Sequence, residues 1–347
     1  MRDNAEGRNL PSAIGFQVVG DNFVVVTEAR EFRPNGLPPI FPALQDGSVS
    51  TWQIGAGGTL TAIDLDVASG VNNTGRTACW LDFSDDNTFF VSNAIEAGLA
   101  SYSFNNGDVE LLNQVAAQGT GATGNTTDPA AAFGTTEGWI DMWISDDNQF
   151  LYQAFGLTGE VGVYAINGAE LTFLQVIGGL PSNNIQGIVS VGEIGVTPPP
   201  TPSVPAVAAG PSGPAVGAVF AMTNGEGQIE GNVQGPNSVV AYAQAADGTL
   251  SELGSFPTGG LGGDFDGGEG LDPLISAYAI TKSLDNRFVL AVNAGSNTVT
   301  SMIVNADYSL TVADTESTLD VGPNSICLLY TSPSPRDATL SRMPSSA

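Results

Sequence analysis

Ser84-Asp85-Asp86-Asn87-Thr88-Phe89 is the stretch that decides the fold, because the same phrase returns three more times along the chain. The other copies are Ser145-Asp146-Asp147-Asn148-Gln149-Phe150, Ser283-Leu284-Asp285-Asn286-Arg287-Phe288 and the shortened Gly20-Asp21-Asn22-Phe23. Each copy is a polar turn between two apolar runs, which is the pattern of a β-hairpin. A hairpin repeated in this way predicts a series of near-identical β-units.

Two further strand-like runs follow each hairpin phrase, so each unit supplies four strands. Four strands per unit, separated by turns, are typical of a β-propeller blade. The sequence therefore predicts an all-β protein, a β-propeller of four-stranded antiparallel blades, with about five blades present. The blades are expected over residues 12–67, 77–116, 137–178, 187–253 (with an interruption) and 274–315. The phenylalanines that end the four phrases are expected at equivalent positions.

The composition agrees with this fold and limits the partners. The chain of 347 residues has 44 glycines and 21 prolines for turns, and 42% hydrophobic residues for a core. Its formal net charge of −27 argues against binding to nucleic acid or to anionic lipid. A partner, whether a small molecule or a protein, is expected to be neutral or cationic. The acidic surface fits either a high-salt environment or simple solubility, and the sequence gives no oligomeric state.

Several short motifs carry a family resemblance that covers most of residues 12–326. They are Ala78-Cys79-Trp80, the strand and turn over 291–297, the Ala246-Asp247-Gly248-Thr249-Leu250 hairpin, and Gly178-Gly179-Leu180-Pro181. With these motifs the chain resembles the lactonase-type seven-bladed β-propeller family, which includes 6-phosphogluconolactonase-like and carboxymuconate-cyclase-like proteins. The resemblance implies a propeller with a ligand site around a central channel.

The order of the segments is unusual for that family. Residues 1–195 resemble the last three blades and closing strand of a propeller, and 217–326 resemble the opening blades of one. A Pro-rich linker over 196–216 joins them, as expected for tandem propellers or for a circular permutation. From Cys327 to Ala347 the chain resembles a translated sequencing adapter, and a Ser/Pro-rich disordered tail is the alternative.

The compartment is not fixed by the sequence. Cys79 is the only cysteine before the tail, so cysteine pairing gives no information on redox environment. No apolar signal region follows Met1, so we expect an export signal to be absent or lost upstream. An extracellular or periplasmic location is favoured over a cytoplasmic one. The longest apolar runs are below the roughly 18 residues of a transmembrane helix, so no membrane span is expected.

An absence limits the expected chemistry, since the chain contains no histidine. The resemblance implies a channel constellation of His with Glu and Arg for lactone chemistry. Acid–base catalysis near neutral pH without His needs a carboxylate with a strongly raised pKa. The remaining catalytic candidates are Glu28, Arg30, Arg76 and Asp141. For the first three the alternative is a surface ion pair, and for Asp141 it is a hydrogen bond to a neighbouring blade.

A glycine-rich loop holds the candidate metal ligands Asp264, Asp266, Glu269 and Asp272. Four carboxylates on such a loop could surround a hard cation such as Ca²⁺. Their spacing is not that of an EF-hand, and an acidic solvated loop is the alternative.

The sequence therefore predicts a lactonase-like β-propeller protein with a binding or scaffolding role and no demonstrable catalytic set. The alternative is a lactone hydrolase or cyclase that acts in the central channel. Hydrolase activity is implied by resemblance only, and the absence of His argues against it.

Overall fold

The fold is described from a computed structural model. It describes residues 12–20, 22–29, 47–70, 77–84, 87–94, 98–118, 138–194, 215–225, 235–263, 274 and 276–327.

The described residues form five antiparallel sheets, which confirms the predicted all-β propeller. Within each sheet the strands lie in chain order, so each sheet is one blade with its first strand innermost. The first blade contains β1 (Ser12–Val19), β2 (Phe23–Ala29), β3 (Ser48–Ile54) and β4 (Leu60–Ala62), with a short β5 (Val67–Ala68) that also pairs with β3. The second contains β6 (Ala78–Phe83), β7 (Thr88–Asn93), β8 (Gly98–Asn105) and β9 (Asp108–Gln118).

The third blade contains β10 (Trp139–Ile144), β11 (Phe150–Phe155), β12 (Glu160–Asn167) and β13 (Glu170–Ile177). The fourth contains β14 (Ile185–Val191), β15 (Gly217–Thr223), β16 (Gly235–Gln244) and β17 (Leu250–Gly262). The fifth contains β18 (Ile280–Lys282), β19 (Phe288–Asn293), β20 (Thr298–Val304) and β21 (Leu310–Ser317). Within the described residues, the helical element is a 3₁₀ turn at Ala56–Gly58 in the first blade. No helix of the described residues is long and apolar enough to span a membrane.

The asparagine and the serine of the hairpin phrase determine the shape of the turn. Asn87, Asn148 and Asn286 all have positive φ, between 57° and 62°. Asparagine tolerates this left-handed backbone better than other residues with a side chain. In the third blade Ser145 Oγ accepts a hydrogen bond from the Phe150 N–H at 3.0 Å, which closes the turn. The closing phenylalanines each stand first or second in the second strand of their blade, as predicted.

The fourth blade is built from both sides of the predicted linker. β14 pairs with β15 in antiparallel register, with Val191 opposite Ala218, so the segment between them connects two strands of one blade. Residues 195–214, which hold most of the predicted linker, lie outside the described residues. The division into domains at 195 and 217, and the tail from Cys327 to Ala347, stay predictions.

Adjacent blades pack face to face through apolar clusters. Between the first two blades, Val25 and Val49 pack with Phe89 and Tyr102, all fully buried. Similar clusters lie between the second and third, third and fourth, and fourth and fifth blades. The innermost strands contact one another in the order β1, β6, β10, β14, β18. This order brings residues from distant parts of the chain to a common central axis.

Candidate functional site

A group of polar side chains lies where the innermost strands end. We call it the axial cluster, and it consists of Gln17, Asp82, Asp146, Tyr278 and Lys282. Gln17, Asp82 and Lys282 stand near or at the ends of β1, β6 and β18, and Asp146 follows β10. The innermost strands of neighbouring blades contact one another around the axis, and Tyr278 precedes β18, so four blades contribute to the cluster.

Lys282 is the only lysine of the chain, and it forms an ion pair with Asp146. The Lys282 side chain is 13% exposed and that of Asp146 is 36% exposed. The other oxygen of Asp146 accepts hydrogen bonds from Asn286 Nδ2 at 2.8 Å and from the Gly192 N–H at 3.0 Å. The ion pair therefore joins the third, fourth and fifth blades.

The surroundings change the pKa values of both partners. Burial opposes ionisation of Asp146, but its bonds to Lys282, Asn286 and Gly192 outweigh burial and lower its pKa. Burial also lowers the pKa of Lys282, against the opposing effects of Asp146 and Asp82. Direct hydrogen bonding therefore favours the charged form of Asp146, whereas burial outweighs the effect of the pairing at Lys282.

Asp82 shows the opposite behaviour. Burial raises the pKa of Asp82 to about 6, although hydrogen bonds from Ile144, Phe83 and Gln17 and the charge of Lys282 act against the rise. Asp82 Oδ2 accepts from the Ile144 N–H of the next blade at 2.7 Å, and Oδ1 accepts from the Phe83 N–H at 2.9 Å. The residue as a whole is half-buried.

Tyr278 connects the fifth blade to the first. Its hydroxyl donates a hydrogen bond to the Phe16 carbonyl of β1 at 3.3 Å. Burial, followed by the charges of Asp82 and Asp141, raises the pKa of Tyr278, so the phenol stays neutral. Its φ of 62° is unusual for an aromatic residue, and its carbonyl accepts from the Ile326 N–H at 2.9 Å.

Two of the predicted catalytic residues are described, and both are buried. Glu28, at the end of β2, accepts hydrogen bonds from Ser48 Oγ at 2.6 Å and Ser50 Oγ at 3.0 Å. Asp141, on β10, accepts from the Met142 N–H at 3.0 Å. A Cβ added to Gly187 would lie 3.3 Å from Asp141 Oδ2, so this carboxylate contacts the innermost strand of the next blade.

The other predicted site residues cannot be placed. Arg30, Arg76 and the loop with Asp264, Asp266, Glu269 and Asp272 lie outside the described residues. The roles of all these residues, including binding of Ca²⁺, stay predictions. Within the described ranges, no group of three or more His, Cys, Asp or Glu side chains could hold a metal ion.

Sequence reasoning missed Asp82, Asp146 and Lys282. Asp82 could have been noticed because, like Asp141, it is an acid within an apolar inner strand. Lys282 could have been noticed as the single lysine. Asp146 gave no signal, because it belongs to the repeated hairpin phrase.

The blades and the polar groups at their axis define the class of protein as a β-propeller. Its fold is similar to that of a periplasmic gluconolactonase from Pseudomonas aeruginosa (15% identity, 90% of this chain and 71% of that chain, TM-score 0.52). It is also similar to a Bacteroides uniformis protein with a provisional assignment as 6-phosphogluconolactonase (13% identity, 87% and 70%, TM-score 0.54).

A third similar structure is a functionally unknown protein from Desulfotomaculum acetoxidans (12% identity, 88% and 71%, TM-score 0.52). No protein-family model and no curated protein sequence matches the chain. At these identities the likeness establishes a lactonase-like propeller fold, and a fold alone does not fix an activity.

Proposed function

We propose that this protein is a lactonase-like β-propeller with a binding or scaffolding role and without a catalytic set. The observation that carries the proposal is that several charged side chains already serve as structural contacts. Asp146 and Lys282 neutralise each other and join blades, and Glu28 is held by two serine hydroxyls. Charges used in this way stabilise a rigid frame and are not available to activate a water molecule or a substrate.

The partner is a neutral or cationic small molecule or protein. The net charge of −27 supports this choice, because an anionic partner would be repelled at low salt. Rigid blades that present loops of different sequence suit recognition of such a partner.

An activity assay tests the proposal. The protein is incubated with 6-phosphogluconolactone and with carboxymuconolactone, and ring opening is followed against the uncatalysed rate. We expect no turnover above that rate. Catalysed turnover that Arg76→Ala abolishes, and that the exposed-site control Arg287→Ala retains, would overturn the proposal.

A second candidate function is a lactone hydrolase or cyclase. The names of the P. aeruginosa and B. uniformis proteins support it, as does one feature of the axial cluster. Burial raises the pKa of Asp82 to about 6, which suits a carboxyl group for proton transfer in a chain without His. In that case Arg76 would bind the substrate carboxylate through its guanidinium.

A further inference from the structure

A short segment that precedes the fifth blade crosses the axis of the propeller. We call it the strap, and it consists of the described residues Leu274, Ser276, Ala277 and Tyr278. Leu274 is 1% exposed and Ser276 is 6% exposed, so the strap is packed against the blades. It is therefore part of the folded structure, although these residues belong to no strand.

Side chains of two blades hold the strap by hydrogen bonds. The Trp80 indole N–H, on β6 of the second blade, donates to the Ser276 carbonyl at 3.1 Å. Gln186, on β14 of the fourth blade, donates to the same carbonyl at 3.4 Å and accepts from the Leu274 N–H at 3.0 Å. The second and fifth blades are not consecutive in the order of the blades, so the bond from Trp80 reaches across the axis.

The strap and the charges of the axial cluster lie at opposite ends of the innermost strands. Trp80 and Gln186 stand close to the beginning of β6 and β14. Asp82 stands close to the end of β6, and Lys282 is the last residue of β18. The ends of these strands lie together, because Lys282 pairs with Asp146, which follows the end of β10.

An apolar layer lies beneath the strap. It is part of the cluster between the third and fourth blades, and it contains residues near the beginning of each of the first four innermost strands: Ile14, Trp80, Ile140 and Ile185. Trp80 is 3% exposed, and Ile140 and Ile185 are fully buried. Ala277 of the strap packs against the same cluster. The close packing of such a layer leaves little room for water.

The segment after β21 covers the strap from the outside. Ser276 Oγ donates to the Asn324 carbonyl at 2.7 Å, and the Ile326 N–H donates to the Tyr278 carbonyl at 2.9 Å. Asn324 is exposed and Ser276 is buried, so the segment 324–326 forms the outer layer. The Tyr278 hydroxyl donates to the Phe16 carbonyl of β1, so the strap also joins the fifth blade to the first.

We propose that the strap closes the mouth of the central channel at which the innermost strands begin, and that a ligand reaches the axial cluster through the opposite mouth. The closed mouth carries the apolar layer, whereas the opposite mouth carries the charged pair of Asp146 and Lys282. The closure goes beyond the proposed function, because it sets the direction of entry whether the protein binds its ligand or also acts on it.

NMR of the full chain tests the closure without any substitution. The Trp80 indole N–H is compared with the Cε protons of Lys282, which are unambiguous because the chain has one lysine. A soluble, neutral gadolinium chelate is added, and the relaxation of both groups is measured. The Lys282 side chain is 13% exposed at the open mouth, so we expect its protons to relax several-fold faster than the indole proton. An indole proton that the chelate relaxes as strongly as it relaxes Lys282 would overturn the proposal.

A matched pair of glutamines tests whether the strap provides the protection. Gln186→Met removes both bonds of this side chain to the strap, so the Trp80 indole N–H should exchange with deuterium about tenfold faster. Gln175→Met is the control, because Gln175 donates to the Leu250 carbonyl at 3.0 Å and accepts from the Leu250 N–H at 2.7 Å, on outer strands. The Trp139 indole N–H, between the second and third blades, should keep its exchange rate in both variants.

Ser276→Ala is a smaller change, and it keeps the test decisive if Gln186→Met does not fold. It removes the hydroxyl group that donates to Asn324, and it should speed exchange at Trp80 while Trp139 stays unchanged. Equal acceleration at Trp80 and Trp139, or no acceleration at Trp80 in the strap variants, would contradict the closure.

Discussion

Two carboxylates of the axial cluster, Asp82 and Asp146, show how the partner of a side chain decides its protonation. Asp146 is held directly by the Lys282 ammonium, and its pKa is lowered. Asp82 has neutral donors and only the more remote charge of Lys282, so burial wins and its pKa is raised. The charge of Lys282 lowers the pKa of both acids, but its direct contact is with Asp146, where the effect outweighs burial.

The raised pKa of Asp82 predicts a pH dependence of stability. The folded protein binds the Asp82 proton more tightly than the unfolded chain does, so protonation stabilises the fold. This stabilisation is fully present below pH 3.8 and is lost as the pH rises through about 6. It amounts to at most about 3 kcal/mol. Urea unfolding is measured at several pH values between 4 and 7. The free energy of unfolding of the wild type should fall, relative to that of Asp82→Asn, as the pH rises. A constant difference between the two proteins would contradict the prediction.

The ion pair between Lys282 and Asp146 predicts a second effect. Lys282→Met leaves Asp146 partly buried without its cation, so the free energy of unfolding should fall by about 1–2 kcal/mol. The matched control is Arg287→Met, which breaks the pair of Arg287 with Asp285, where the side chains are 53% and 47% exposed. The control should cost less than about 0.5 kcal/mol. Equal losses in urea unfolding would contradict the assignment of Lys282 as an inter-blade contact.

At the scale of the elements, equivalent hairpins of the third and fourth blades differ in what they contact. Gly168 closes the turn between β12 and β13, has a φ of 61°, and has open space where a Cβ would be. Gly248 closes the equivalent turn between β16 and β17, with a φ of 83°. A Cβ on Gly248 would lie 2.2 Å from the ring of Phe150 in the third blade.

This difference predicts unequal costs for the same substitution. Gly168→Ala should cost about 1 kcal/mol, since only the left-handed backbone opposes it. Gly248→Ala adds a clash with a buried ring and should cost about 2–4 kcal/mol. The free energies of unfolding in urea measure both, with unchanged dependence on urea concentration as the check on two-state behaviour. Similar costs at the two glycines would show that the hairpin does not pack against Phe150.

At the scale of the whole molecule, each blade packs on the next, and the chain after the fifth blade returns to the axis. Ser276 Oγ donates to the Asn324 carbonyl at 2.7 Å, and the Ile326 N–H donates to the Tyr278 carbonyl. Ile326 also packs against the cluster between the fourth and fifth blades. The segment 323–326 is therefore part of the folded structure.

Two truncations separate this segment from the predicted adapter tail. A chain that ends at Ile326 should unfold at the same temperature as the full chain, because the tail is expected to contribute no packing. A chain that ends at Gly322 loses the contacts of Asn324 and Ile326 and should be less stable by about 1 kcal/mol. Calorimetry of the two proteins decides this. A marked loss of stability in the first truncation would contradict the tail prediction.

The sequence by itself determined the fold. The hairpin phrase and the apolar alternation are local signals, and each recurs in almost every unit, so the number of strands per blade could be predicted before any contact was known. Where a blade was interrupted, as between β14 and β15, the strand patterns on both sides still identified it. Asp141 was recognised as unusual because it stands in an apolar inner strand, and the same pattern, although it was overlooked, also marks Asp82.

Only the tertiary structure decided which polar groups meet. Gln17 and Asp82 lie 65 positions apart in the sequence and Asp146 and Lys282 lie 136 apart, so no local pattern connects them. Their pKa values depend on burial and on partners supplied by other blades, which are set by the way the innermost strands pack around the axis. A repeated sequence specifies the blade, whereas the chemistry at the axis arises where non-repeated residues of different blades are packed together.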